Sequence, residues 1–148
     1  MRNIAILTLV ALSSTIASKS AFAHCQVPCG VYGDEMRLRA MLEDTATIKK
    51  AMTNVSDLAP KTDGLSANQL TRWVMTKEDH ASNTQKIIAE YFMTQRIKAS
   101  APKYTEKLMA AHAVMVAAMK CKQTVDPKNA DALKAAILKF YEAYEGEK

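Results

Sequence analysis

Four stretches of this chain repeat apolar residues at intervals of three and four, the period of one face of an α-helix, and that pattern excludes most other folds. In the first, Leu38, Met41, Leu42, Thr45, Ile48, Met52 and Val55 share a face from Glu35 to near Asp57, and Ala59-Pro60 stops it. Residues 56–65 read as a linker with Pro60 and Gly64, after which Ser66 and Gln69 predict a capping-box start. The second helix is expected to run to about Ile97, with Leu70, Trp73, Val74, Lys77, Ala81, Thr84, Ile87, Ile88, Tyr91 and Phe92 on its stripe. Pro102 suits the first position of a third helix capped by Ser100 or Ala101, with Tyr104, Leu108, Ala111, Met115, Ala118 and Met119 facing inward. Asp126-Pro127 caps a fourth, carrying Ala130, Leu133, Ala136, Ile137, Phe140, Tyr141 and Tyr144. No strand signal competes, and four Gly and four Pro in 148 residues agree with a helix-rich chain. The expected architecture is all-α, an antiparallel four-helix bundle over residues 33–148 behind an N-terminal metal-binding hook at 24–32.

Residues 1–23 read as a cleaved signal peptide. Arg2 supplies a basic start, Ile4 to Leu12 a hydrophobic run and Ser18-Lys19-Ser20 a polar exit. Ala21-Phe22-Ala23 then gives the A-x-A pattern of signal peptidase, with the cut between Ala23 and His24. The apolar run is too short to span a bilayer. It lacks a twin arginine, so export in the unfolded state, to the periplasm or beyond the cell, is the expected route. The mature form then has no membrane anchor. Cleavage leaves 125 residues, one domain with one core, and lowers the formal charge from +5 to +3. That mild positive bias suits an anionic substrate. No basic cluster interleaved with aromatics argues for nucleic acid.

The cut creates chemistry that no internal residue has. It frees the amine of His24 beside an imidazole, the Cys25 amide and the thiols of Cys25 and Cys29. The amine and the Cys25 amide nitrogen close one five-membered chelate ring on a metal, and that amide with the Cys25 sulfur closes another. Cys29 supplies a fourth in-plane donor if the chain doubles back, which Pro28 favours by fixing φ and Gly30 permits by its freedom. Two nitrogens and two sulfurs in a plane suit Ni(II) or Cu(II), whereas zinc prefers a tetrahedron. The His24 imidazole is left for an axial position.

The run H-C-x-x-P-C-G-x-Y at a mature amino terminus resembles the hook of nickel superoxide dismutases, matching at His24, Cys25, Pro28, Cys29, Gly30 and Tyr32. The resemblance implies that His24, Cys25 and Cys29 bind one nickel ion per subunit and that the Tyr32 hydroxyl lies over the open face of the metal. It also implies cycling between Ni(II) and Ni(III), with superoxide as substrate and dioxygen and hydrogen peroxide as products. Thiolates and a deprotonated amide are strong donors that bring the nickel couple into the range this reaction needs. The family fold is a four-helix bundle assembled as a homohexamer, each hook lying against neighbouring subunits.

Two other readings use the same residues. One is a non-catalytic periplasmic copper- or nickel-binding helical protein; the other is an adaptor in which Cys25 and Cys29 form a disulfide. Glu35, Glu43 and His80 are candidate partners for the hook without a motif to fix them. His80 otherwise reads as a boundary histidine, His112 likewise, and Cys121 as a buried thiol.

Overall fold

The computed structural model describes residues 33–146. The expected signal peptide and the hook, with His24, Cys25, Cys29 and Tyr32, lie outside the described residues. Helix α1 spans Glu35–Leu58, α2 Gly64–Lys86 and, after a connecting π-helical segment at Ile87–Arg96, α3 Tyr104–Gln123 and α4 Lys128–Glu145. No strand occurs among the described residues.

Side-chain pairs between helices fix the topology. Asp44 of α1 meets His80 and Thr84 of α2, while Asp34, one turn or more earlier, meets Tyr91 and Arg96. Gln85 of α2 meets Met115 of α3, whereas Lys77 meets Cys121. Lys49 of α1 pairs with Asp131 of α4 at 2.6 Å, whereas Asp34 meets Tyr144. In each pair one number rises as the other falls, so neighbours run antiparallel and α4 closes against α1. The four-helix bundle read from the periodicity is the observed fold.

The core follows the predicted stripes. Leu38, Met41, Ile48 and Met52 of α1 meet Ala111, Val114 and Ala118 of α3 and Leu133, Ile137 and Phe140 of α4 in one buried cluster. Phe92 lies at the centre of an aromatic group, edge-on to Tyr91 at 5.1 Å, to Phe140 at 4.9 Å and to Tyr144 at 5.1 Å. Edge-to-face pairs of this kind add about 0.5–1.5 kcal/mol each beyond the area they bury. The early part of α2 departs from expectation, since Leu70 and Trp73 are half-buried and Val74 is exposed. Lys77 already sits at the last turn of α3, so residues before it run past the end of that helix and have only α1 to pack on. Met119, expected inside, is exposed on α3.

The helix ends correct three expectations. Helix α2 begins at Gly64, two residues before the expected cap, because the Asp63 carboxylate accepts from the Ser66 N–H at 2.9 Å and from its hydroxyl at 2.6 Å. A charged acceptor at a helix amino terminus outcompetes a hydroxyl there. Helix α3 begins at Tyr104, not Pro102. A turn closed by Ala101 N–H on Lys98 O precedes the proline, and Lys103, with φ +52°, stands in the left-handed region that no helix interior accepts. The third correction concerns the run to Ile97. It is helical throughout, but the last ten residues, Ile87–Arg96, are wound as a π-helix, with Ile97 N–H bonded to Phe92 O at 2.8 Å.

Lys77 shows how a charged residue can belong to a core stripe. The residue is 3% exposed, and its ammonium donates to Cys121 O at 3.0 Å, to Lys122 O and to Glu78 Oε1 at 2.8 Å. Two of its donors thus cap the negative end of α3 and the third pairs with a carboxylate on its own helix.

Candidate metal centre and its anchorage

The described chain starts at the junction between the hook and the bundle. Gly33 has φ +79°, a conformation glycine adopts without cost, and turns the chain into α1. Asp34 follows at the N-cap position, the usual place for an aspartate to accept a hydrogen bond from the helix's own first amides. Its side chain makes no such bond. Instead it turns into the protein and is 7% exposed.

Three side chains from two other parts of the bundle hold that carboxylate. Tyr91 donates its hydroxyl to Oδ1; Tyr144 donates to Oδ2 at 2.6 Å; Arg96 donates to Oδ2 from Nη2 at 2.7 Å and from Nε at 3.2 Å. Arg96 Nε also lies 3.3 Å from the Tyr144 hydroxyl, and the Arg37 guanidinium covers the Tyr91 ring at 4.8 Å. The π-helical winding makes this possible. Tyr91 and Arg96 are five residues apart, positions that face different ways on an α-helix but come together when the helix closes from i to i+5.

The electrostatics follow from the contacts. Burial pushes the Asp34 carboxyl upward, but the hydrogen bonds from Tyr144, Tyr91 and Arg96 outweigh it and hold the group below the usual carboxylate range. Burial and the bond to Asp34 push Tyr144 up to about 12 and raise Tyr91. Arg96 is raised by its bond to Asp34. At neutral pH the network is therefore a carboxylate, a guanidinium and two phenols that stay protonated as donors.

The candidates named from sequence fall elsewhere. Glu35 is exposed and paired with Arg39 at 2.7 Å, and Glu43 is exposed. His80 is boundary-placed, with Nδ1 2.6 Å from Oδ1 of Asp44, a buried carboxylate that also accepts from Asn83 at 2.8 Å and Thr84 at 3.2 Å. His112 is exposed. Cys121 is fully buried, and burial pushes its thiol up to about 11, so it is a core group and not a thiolate donor. Among the described residues no group of three or more His, Cys, Asp or Glu is placed to hold a metal. Sequence reasoning missed Asp34 and Arg96, and it placed Tyr91 and Tyr144 only as packing residues.

The sequence model of the nickel-containing superoxide dismutase family matches residues 19–148. The chain belongs to that family. Searches of curated proteins and of solved structures returned no match. Membership makes this nickel superoxide dismutase an oxidoreductase with a nickel cofactor and superoxide as its substrate. It also decides between the readings the donor set left open, for dismutation over a metal carrier or a disulfide adaptor. The matched stretch includes the whole of 24–32.

Proposed function

We propose that the enzyme works from its own amino terminus. Signal peptidase cuts between Ala23 and His24, and the freed amine and imidazole of His24, the amide and thiolate of Cys25 and the thiolate of Cys29 hold the nickel. The observation that carries this reading is a coincidence in the sequence: the A-x-A cleavage pattern ends at the residue where H-C-x-x-P-C-G-x-Y begins. The donor set fits the metal, because thiolates and an anionic amide are the ligands that make nickel redox-active in water. When bound, nickel supplies one-electron chemistry by alternating between Ni(II) and Ni(III). Two superoxide anions and two protons thereby become one dioxygen and one hydrogen peroxide.

The chain's own contributions are positional. His24, Cys25 and Cys29 would hold the metal, Tyr32 would bring its hydroxyl near it, and Pro28 and Gly30 would let the two cysteines converge. Loading follows export, since the amine is blocked until the leader is removed, and the mature enzyme resides in the periplasm or outside the cell. The protein assembles as a homo-oligomer, a hexamer by family resemblance.

One added residue before His24 tests the terminal-amine reading. It displaces the amine from the chelate while leaving the bundle untouched, so dismutase activity should vanish with helical content unchanged. Full activity in the extended protein overturns the reading. The intact mass of exported protein, measured with its nickel content, tests the cleavage site.

A further inference from the structure

Asp34 is placed to cap α1 and does not. An aspartate at that position ordinarily adds about 1 kcal/mol to its own helix by binding the first free amides. Here the carboxylate is turned away, and four hydrogen bonds tie it to residues 57, 62 and 110 positions further along the chain. An ion pair with one buried partner and one exposed one adds little stability by its charge alone, but four hydrogen bonds on one carboxylate fix its position. The position fixed is separated from the hook by Gly33 alone. Tyr32 is two residues from Asp34, about 7 Å of extended chain at most, and Cys29 is five residues away, about 18 Å at most.

Resting on the terminal-hook reading, we propose that Arg96, Tyr91 and Tyr144 act through Asp34 as positioning residues for the nickel hook, clamping its root to the bundle so that the metal is retained. Tyr144 makes the case sharpest. It stands in the last turn of α4, at the opposite end of the sequence from the ligands, and among the described residues its hydroxyl is hydrogen-bonded to Asp34 and Arg96. The π-helical segment belongs to the same device, since it brings Tyr91 and Arg96 to one carboxylate. A clamped root keeps donors that have let go of the metal close to it, so rebinding outruns escape; a loose root lets the whole hook swing away.

The test is the rate at which nickel passes from the holoenzyme to excess chelator, with turnover per bound nickel and the urea midpoint measured on the same samples. Tyr144→Phe removes the hydrogen bond to Asp34 and the longer one from Arg96 but leaves no charge unpaired, so it keeps the fold; Asp34→Asn removes the anchor's charge. Leu133→Ala, a core truncation on α4 away from the network, is the control for lost stability alone. Nickel release should quicken at least about tenfold in Tyr144→Phe, the factor expected from losing its bond to the Asp34 carboxylate alone, and more in Asp34→Asn. Release in Tyr144→Phe that matches wild type, or that is no faster than in Leu133→Ala, overturns the proposal. Should Asp34→Asn fail to fold, Tyr144→Phe still decides. The protein extended by one residue before His24 separates the two readings: if it holds nickel as wild type does, the terminal hook itself is wrong.

Discussion

Gly33→Ala tests the geometry of the junction, and its sign is more informative than its size. A Cβ built on Gly33 meets no atom within 4 Å, so the substitution carries no packing penalty. What remains is the backbone, which at φ +79° lies where an L-residue is disfavoured by roughly 1–2 kcal/mol. Against that, alanine restricts the unfolded chain and returns about 0.4–1 kcal/mol. The net expectation is a loss of about 1 kcal/mol. With a urea dependence of about 1.5 kcal/mol per molar for a domain of this size, the unfolding midpoint of metal-free protein should fall by about 0.7 M. Gly33→Asn should recover part of the loss, because asparagine tolerates the left-handed region. If φ at this position were negative, alanine would raise the midpoint instead, and an increase would refute the turn. A loss above about 3 kcal/mol would refute the open space around it, since only a clash costs that much.

Three further outcomes follow from the contacts. The Asp34 carboxyl is held below its ordinary value, so its contribution is intact above the ordinary carboxylate pKa and is lost as pH falls through the folded one. Urea midpoints taken from pH 6 down to pH 2 should show this acid limb, moved to higher pH in Tyr144→Phe; an identical limb in both proteins would mean that Tyr144 does not hold Asp34. Cys121→Ser should cost about 1–2 kcal/mol by placing a hydroxyl in an apolar site, yet leave nickel stoichiometry unchanged, and loss of metal would make the third cysteine a ligand. His80→Ala removes one of the three side-chain donors to buried Asp44 and should cost roughly 1–2 kcal/mol with an unchanged nickel electron spin resonance spectrum. An altered spectrum would assign His80 as the partner of the His24 imidazole.

The helices were legible because burial on one face forces a period, and the period survives in the residues themselves. Leu133, Ile137 and Phe140 are fully buried where the spacing puts them. The helix ends were less legible because several residues compete to start a helix and only the three-dimensional chain selects one. Asp63 and Ser66 are both good caps; the carboxylate wins, and Ser66 becomes its donor. The π-helical winding left no trace of its own. The apolar pairs Ile87-Ile88 and Tyr91-Phe92 repeat at four, which an α-helix face also shows, so the wider winding is set by the packed chain.

The site divides in a different way. The proposed nickel ligands are read from nine consecutive residues because their chemistry is local: two cysteines, a histidine and a proposed cut that would free an amine. The residues that hold the hook's root could not be read in this way, because nothing local distinguishes them. Asp34 looks like an ordinary cap and Tyr91 and Tyr144 like ordinary stripe residues, while Arg96 looks like a solvated charge. Their donors and acceptor are brought together only when α1, the π-helical segment and α4 close around Phe92. A ligand set that folds by itself needs a scaffold only to say where it stands and for how long. On the proposed reading the division of labour is complete: the first nine residues of the mature chain choose the metal, and a carboxylate two residues beyond them, gripped by the far end of the bundle, decides whether it stays.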